Sequence, residues 1–232
     1  MMTRSDDLAY IDENLHIIKE RIAEAKAEYR SPGEDVRIMA VTKTVAPEAV
    51  NRAVELGLDL LGENRVQEYL SKAELYDKSA EVQFIGHLQT NKVKYIINTV
   101  SMIQSVDSFK LGQEISRLAV KNGRTMDILC EVNIGGEESK SGIAPGGLRT
   151  LIGQLSELEG LNIRGLMTIP PPGDSDLFLG RMKELYDSVS AEYPGMDTLS
   201  MGMTHDYAEA VRYGSTLVRI GTGLFGARNY TR

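Results

Sequence analysis

Lys43 closes an apolar run, RIMAVTK (Arg37–Lys43), and that position gives its amine a chemical use. The stem of a lysine at a strand end packs against its neighbours. Partial burial then lowers the amine pKa from its reference of about 10.4, and the neutral amine becomes available as a nucleophile. The same position also suits a lysine whose stem covers apolar surface while its charge reaches water. Two loops far along the chain carry glycine beside small hydroxylated residues, in LSMGMTHD (Leu199–Asp206) and in IGTG (Ile220–Gly223). Ser200, Thr204 and Thr222 offer hydroxyl donors there, and glycine lets backbone N–H groups approach an anion. Tight turns leaving two strands would have the same composition.

Taken together, a nucleophilic lysine and an anion cradle suit a phosphate ester that bears an aldehyde, which is the chemistry of pyridoxal 5'-phosphate (PLP). Arg219 adds a third feature. It lies within VRIG, between Val218 and Ile220, where an unpaired guanidinium would be costly. It either pairs with a carboxylate inside the fold or faces the pyridine nitrogen of such a ligand. In the second case it would keep that nitrogen unprotonated, because arginine stays charged at working pH, and the ring would be a weaker electron sink. Asn64, in GENRVQE, is either a helix N-cap or a hydrogen-bond partner of the ring hydroxyl. His87 ends another strand, where a hydrogen-bonded structural role and a catalytic one are both open. The three histidines, His16, His87 and His205, lack metal-site spacing, and no GxSxG nucleophile elbow is present. Cys130, within MDILCEV, reads as a small buried apolar residue. No residue is assigned a catalytic role, and no metal is expected.

These residues need a scaffold that gathers strand ends. Eight β-rich runs supply it: Arg37–Lys43, Leu58–Gly62, Val82–His87, Met102–Val106, Met126–Ile134, Asn162–Ile169, Asp197–Met201 and Thr216–Gly221. Several are nearly continuous apolar runs, as expected of parallel strands covered by helices. Helical patterns lie at Pro47–Leu56, Ser108–Asn122, Gly147–Glu159, Asp176–Tyr193 and Asp206–Tyr213. Pro47 suits an early helical position, and Asn122-Gly123 a helix stop. A further helix precedes the first strand. Its Leu8, Ile11, Leu15, Ile18, Ile22 and Ala25 recur at spacings of three and four, and Pro32-Gly33 follows it. The order predicts α/β class: a single (β/α)₈ TIM-type barrel with an extra N-terminal helix, residues 1–232 forming one domain. An open doubly wound sheet is the alternative. In such barrels the site lies at the C-terminal strand ends, and phosphate is often held after strands seven and eight. The candidate residues all fall there.

Composition narrows the class. The chain has 232 residues, 42% of them hydrophobic and 25% charged, which are ordinary globular values. A net charge of −7 with no basic stretch argues against a nucleic-acid partner. One cysteine forms no internal disulfide and fits a reducing compartment. The mixed-charge N-terminus, MMTRSDDLAYIDENLHIIKE, has no apolar signal core, and no run is long enough to span a membrane. A cytoplasmic protein is the expectation.

AVTKT (Ala40–Thr44), GENRVQE (Gly62–Glu68), FIGHLQTNK (Phe84–Lys92), NIGGEESKSG (Asn133–Gly142), RGLMTIP (Arg164–Pro170), LSMGMTHD and STLVRIGTGLFGAR (Ser215–Arg228) occur in that order over nearly the whole chain. In this combination the sequence resembles the pyridoxal phosphate homeostasis protein family (YggS/PROSC type), whose members are similar to the N-terminal barrel of alanine racemase but lack its C-terminal β-domain. The resemblance implies PLP held as a Schiff base on Lys43. It implies a phosphate cradle at Ser200, Gly202, Gly221 and Thr222, Met201 among the cofactor-binding residues, Arg219 at the pyridine nitrogen, and Asn64 near the ring. Thr204 stands where serine is common, and Gly223 where alanine is usual. The implied role is intracellular PLP homeostasis or carriage by a monomer, with apo-PLP enzymes as recipients and no strong turnover. A PLP-dependent amino-acid racemase is the alternative. Because the sequence stops shortly after the eighth strand, no second domain is expected to supply a tyrosine base, and a racemase needs acid–base groups on both faces of the carbanion.

Overall fold

The structure, a computed structural model, describes residues 8–227. Arg228 of the last motif and residues 1–7 lie outside the described residues. The chain opens with α1 (Ala9–Tyr29), which turns Ile11, Leu15, Ile18, Ile22 and Ala25 to one buried face. Then follow β1 (Arg37–Val41), α2 (Pro47–Glu55), β2 (Leu60–Glu63), α3 (Val66–Lys72), β3 (Glu81–Phe84), α4 (Val93–Ile96), β4 (Met102–Val106) and α5 (Phe109–Lys121). The second half runs β5 (Met126–Val132), α6 (Leu148–Ser156), β6 (Leu161–Thr168), α7 (Ser175–Glu192), β7 (Thr198–Ser200), α8 (Tyr207–Arg212), β8 (Leu217–Ile220) and α9 (Thr222–Phe225). The strands form a closed parallel barrel in chain order, sealed where β1 pairs with β8 through Ile38↔Val218 and Met39↔Arg219. This is the expected TIM-type barrel with its leading helix, and the open sheet is excluded. Among the described residues no helix is long and apolar enough to cross a membrane.

Alternation along the strands divides the core. Ala40, Leu61, Phe84, Ile103, Cys130, Leu166, Leu199 and Val218 face outward into the large cluster shared with the helices. The inward residues form two small apolar clusters, Met39–Leu60–Leu217 and Met102–Leu129–Met167. A polar chain runs through the same interior. Gln104 Nε2 donates to Gln83 Oε1 at 2.6 Å, Ser200 Oγ donates to Gln104 Oε1 at 2.7 Å, and Arg219 Nη1 donates to Ser200 Oγ at 2.6 Å. Arg219 Nη2 closes the chain on the Thr168 carbonyl at 2.7 Å. Buried polar groups are tolerated when paired in this way, each bond contributing a net ~1 kcal/mol and each orphan costing more.

Several expected boundaries shift. The first strand stops at Val41, not Lys43, because Val45 N–H bonds back to the Thr42 carbonyl and Thr44 adopts a left-handed φ of 60°. Lys43 therefore sits in a turn just past the strand end. Three helices had no sequence signal: α3, α4 and α9 span seven, four and four residues, too few for a period to show.

Candidate functional site

The turn carrying Lys43 is held from behind. Lys72 Nζ donates to the Thr42 carbonyl at 3.0 Å and to Glu68 Oε1 at 2.7 Å, while Glu68 accepts the Thr44 N–H at 2.5 Å. Thr42 Oγ1 donates to the fully buried Glu63 at 2.6 Å, and the Tyr76 hydroxyl donates to the same oxygen at 2.5 Å. Burial alone would raise the Glu68 carboxyl, but the bonds from Lys72 and Thr44 outweigh it and hold the pKa low. At Glu63 burial dominates and pushes its pKa up. This cluster fixes the backbone on both sides of Lys43.

Lys43 lines a cavity of about 510 Å³ at the C-terminal mouth of the barrel. That size lies within the ~300–1,000 Å³ typical of small-molecule sites. Asn64, Arg219, Gly221 and Thr222 line the same cavity. Asn64 is not the N-cap of α3, which is Arg65, and its buried Oδ1 has no partner among the described residues. One side of that amide is therefore left for a ligand. Gly86 permits the approach of the neighbouring loop, since a Cβ there would overlap the Asn64 backbone. Arg219 is 3% exposed, and burial draws its pKa down to about 10, so it remains charged at neutral pH. Its two bonds to Ser200 and Thr168 leave further N–H donors on a group that has five.

The loop after β7 meets the cavity in its second part, which includes the expected Thr204. Ser200, Met201 and Gly202 do not line it. Ser200 turns its hydroxyl to the barrel axis, between Arg219 and Gln104, and Met201 is buried among the helices. Gly202, at φ +92°, swings the chain back over the mouth, and a Cβ there would collide with Ala210. The lining residues are Met203, Thr204 and His205. Asp206 Oδ1 takes the Met203 N–H at 2.7 Å and sets the loop. Thr204 Oγ1 lies 3.3 Å from Thr222 Oγ1 and accepts the Gly223 N–H at 3.1 Å, so two hydroxyls and the loop backbone converge from β7 and β8. His87 stands on the rim, 62% exposed, 3.4 Å from Ser141 Oγ and 4.0 Å from Asp107. Cys130 lies wholly buried in the wall, and burial pushes its thiol up to about 12.

Glu131, absent from the candidates drawn from sequence, also lines the cavity. It is 7% exposed, and burial, with Asp107 nearby and Arg219 opposing, raises its pKa to about 7. A carboxyl whose folded pKa lies above its unfolded value of about 4.3 adds its full stability below that value. That stability is lost as pH rises through about 7. Glu131→Gln should therefore stabilise the ligand-free protein at pH 8 by on the order of 2–3 kcal/mol, and hardly at pH 4.5. Urea unfolding at the two pH values measures this, and an equal gain at both would contradict it.

A closed barrel with a mouth lysine, a buried arginine and a two-loop hydroxyl cradle defines a class, and a family model gives it a description. The model described as alanine racemase, N-terminal domain, matches residues 7–229. The chain is 44% identical over 225 residues to a protein of Aquifex aeolicus named pyridoxal phosphate homeostasis protein, covering 94% of this chain and 98% of that one. The structure of PipY from Synechococcus elongatus PCC7942, with PLP bound, aligns at a TM-score of 0.78 and 33% identity over 89% of this chain and 99% of that one. A protein of Bifidobacterium adolescentis aligns at 0.89 and 33% identity, over 97% and 98%. The chain belongs to the pyridoxal phosphate homeostasis protein family.

Proposed function

We propose that this chain binds PLP in the barrel-mouth cavity, joined to Lys43 as a Schiff base, and serves intracellular PLP homeostasis as a carrier without strong turnover of its own. The observation that carries the reading is one cavity lined by Lys43, a charged arginine, an amide whose oxygen has no partner among the described residues, and two converging hydroxyls. Each group fits a part of the cofactor. Thr204 and Thr222 hold the phosphate, with Gly221 beside them; Asn64 takes the ring oxygen; Arg219 offers donors to the ring nitrogen. Ser200, Met201 and Gly202 act from beneath, by fixing Arg219 and turning the loop. When bound, PLP supplies an aldehyde and an electron-withdrawing ring. Arg219 limits that withdrawal, because a group that stays protonated donates a hydrogen bond without giving up its proton. Family membership and the PLP-bound relative support the same reading.

The carrier acts as a cytoplasmic monomer whose recipients are apo-forms of PLP enzymes. The racemase alternative needs a proton carrier on each face of a substrate Cα. Lys43 would be one, and Glu131 lines the same cavity. Two assays separate the readings. The loaded protein should restore activity to an apo-PLP enzyme, and in D₂O it should exchange the Cα hydrogen of alanine no faster than free PLP does. Rapid exchange that depends on Lys43, without transfer, would make it an enzyme.

A further inference from the structure

Glu131 is a buried titratable group of the cavity that the binding scheme above leaves unused. In a closed barrel of eight strands in chain order, β5 lies four strands from β1 in either direction. Glu131 of β5 therefore occupies the wall opposite the turn that carries Lys43, and both line one cavity. Glu131 is more than nine-tenths buried, and its Oε2 has no hydrogen-bond partner among the described residues. A buried carboxyl oxygen without a partner is costly unless a proton or a ligand satisfies it.

We propose that Glu131 contacts the bound cofactor from the wall opposite Lys43, as a protonated carboxyl that donates a hydrogen bond to it. The inference rests on the PLP reading and adds a positioning contact that also makes binding pH-dependent. An ionised carboxylate so near would repel an anionic pyridine phosphate, whereas the neutral acid is a donor. In the ligand-free protein Glu131 exchanges its proton near neutrality, at about 7. The charged groups that share its surroundings are Arg219 from β8, Asp107 after β4 with His87 after β3 beside it, Lys43 after β1, Lys140 in the loop after β5, and His205 after β7. Arg219 favours the carboxylate and Asp107 opposes it. Holding Glu131 neutral in the complex makes binding take up a proton, so affinity falls as pH rises above about 7.

The test compares PLP titrations of the full-length wild-type protein and Glu131→Gln at pH 6, 7, 8 and 8.5. Protons exchanged by the phosphate and by Lys43 affect both proteins alike, so the difference isolates Glu131. From pH 6 to pH 8.5 the wild-type Kd should rise roughly thirtyfold more than that of Glu131→Gln. Parallel profiles would overturn the inference. Difference infrared spectra of the wild-type protein at pH 8 give a measure free of any folding defect in the variant. A carboxylic-acid C=O band should appear on PLP binding, and its absence would also overturn the inference. Failure of the PLP reading looks different: the wild-type protein would then not bind PLP at any pH.

Discussion

Lys43→Ala should abolish the absorption band that PLP acquires on binding the wild-type protein, and weaken PLP binding at least about a hundredfold, or roughly 2.7 kcal/mol. The Schiff base is the one covalent tie in the binding scheme, and alanine has no amine to form it. The fold should survive the change. The turn around position 43 is secured by Thr42, Thr44, Glu68 and Lys72 through backbone and side-chain bonds that do not use the Lys43 side chain. Lys43 is half-buried, so the thermal midpoint of the variant without PLP should stay within about 4 °C of wild type, the shift of a change of about 1 kcal/mol. A retained band would remove Lys43 from its role. A large fall in the midpoint would assign the residue to structure instead.

Arg219→Met should be the more damaging change to the protein itself. Methionine keeps an apolar stem and loses the fork. The Thr168 carbonyl then loses its 2.7 Å donor, and Ser200 Oγ loses the donor that completes its pair of bonds with Gln104. All of these atoms lie inside the barrel, where water is a poor substitute. Hydrogen bonds from a charged donor are worth about 1.5–3 kcal/mol, and orphaned acceptors add their own cost, so a destabilisation of about 3 kcal/mol is expected. For a chain of this size that lowers the midpoint by roughly 6–12 °C. Part of the loss should depend on pH, because Glu131 loses the cation that favours its ionised form. The deficit should be smaller at pH 5, where Glu131 is neutral, than at pH 8. Calorimetry at both values checks this. An unchanged midpoint would mean that the interior polar chain contributes nothing net.

The barrel was legible because each strand is an apolar run of its own and each long helix carries a period. Arg219 was legible for a related reason: in VRI it must face away from the side taken by Val218 and Ile220, and a charge alone on a buried face invites a partner. Ser200 was not, because β7 has three residues, and three residues do not show which face meets the axis. That Thr204 lines the cavity while Ser200, Met201 and Gly202 do not was not legible, because it depends on the left-handed turn at Gly202 and on Asp206 capturing the Met203 N–H, a fold-back that leaves no spacing pattern. Glu131 left a usable trace. In MDILCEV it shares a side with Asp127 and Leu129, so period-two reading groups them. Only closure of the barrel turns that side inward and makes the last of the three a cavity residue.

The most direct measurement is borohydride reduction of the PLP-loaded protein, followed by proteolysis and mass mapping of the pyridoxyl group. The expected result is one modified peptide, carrying the label on Lys43, with the yellow band lost on reduction. Label on another lysine with Lys43 unmodified, or no label on protein that has demonstrably bound PLP, would contradict a Schiff base at the barrel mouth.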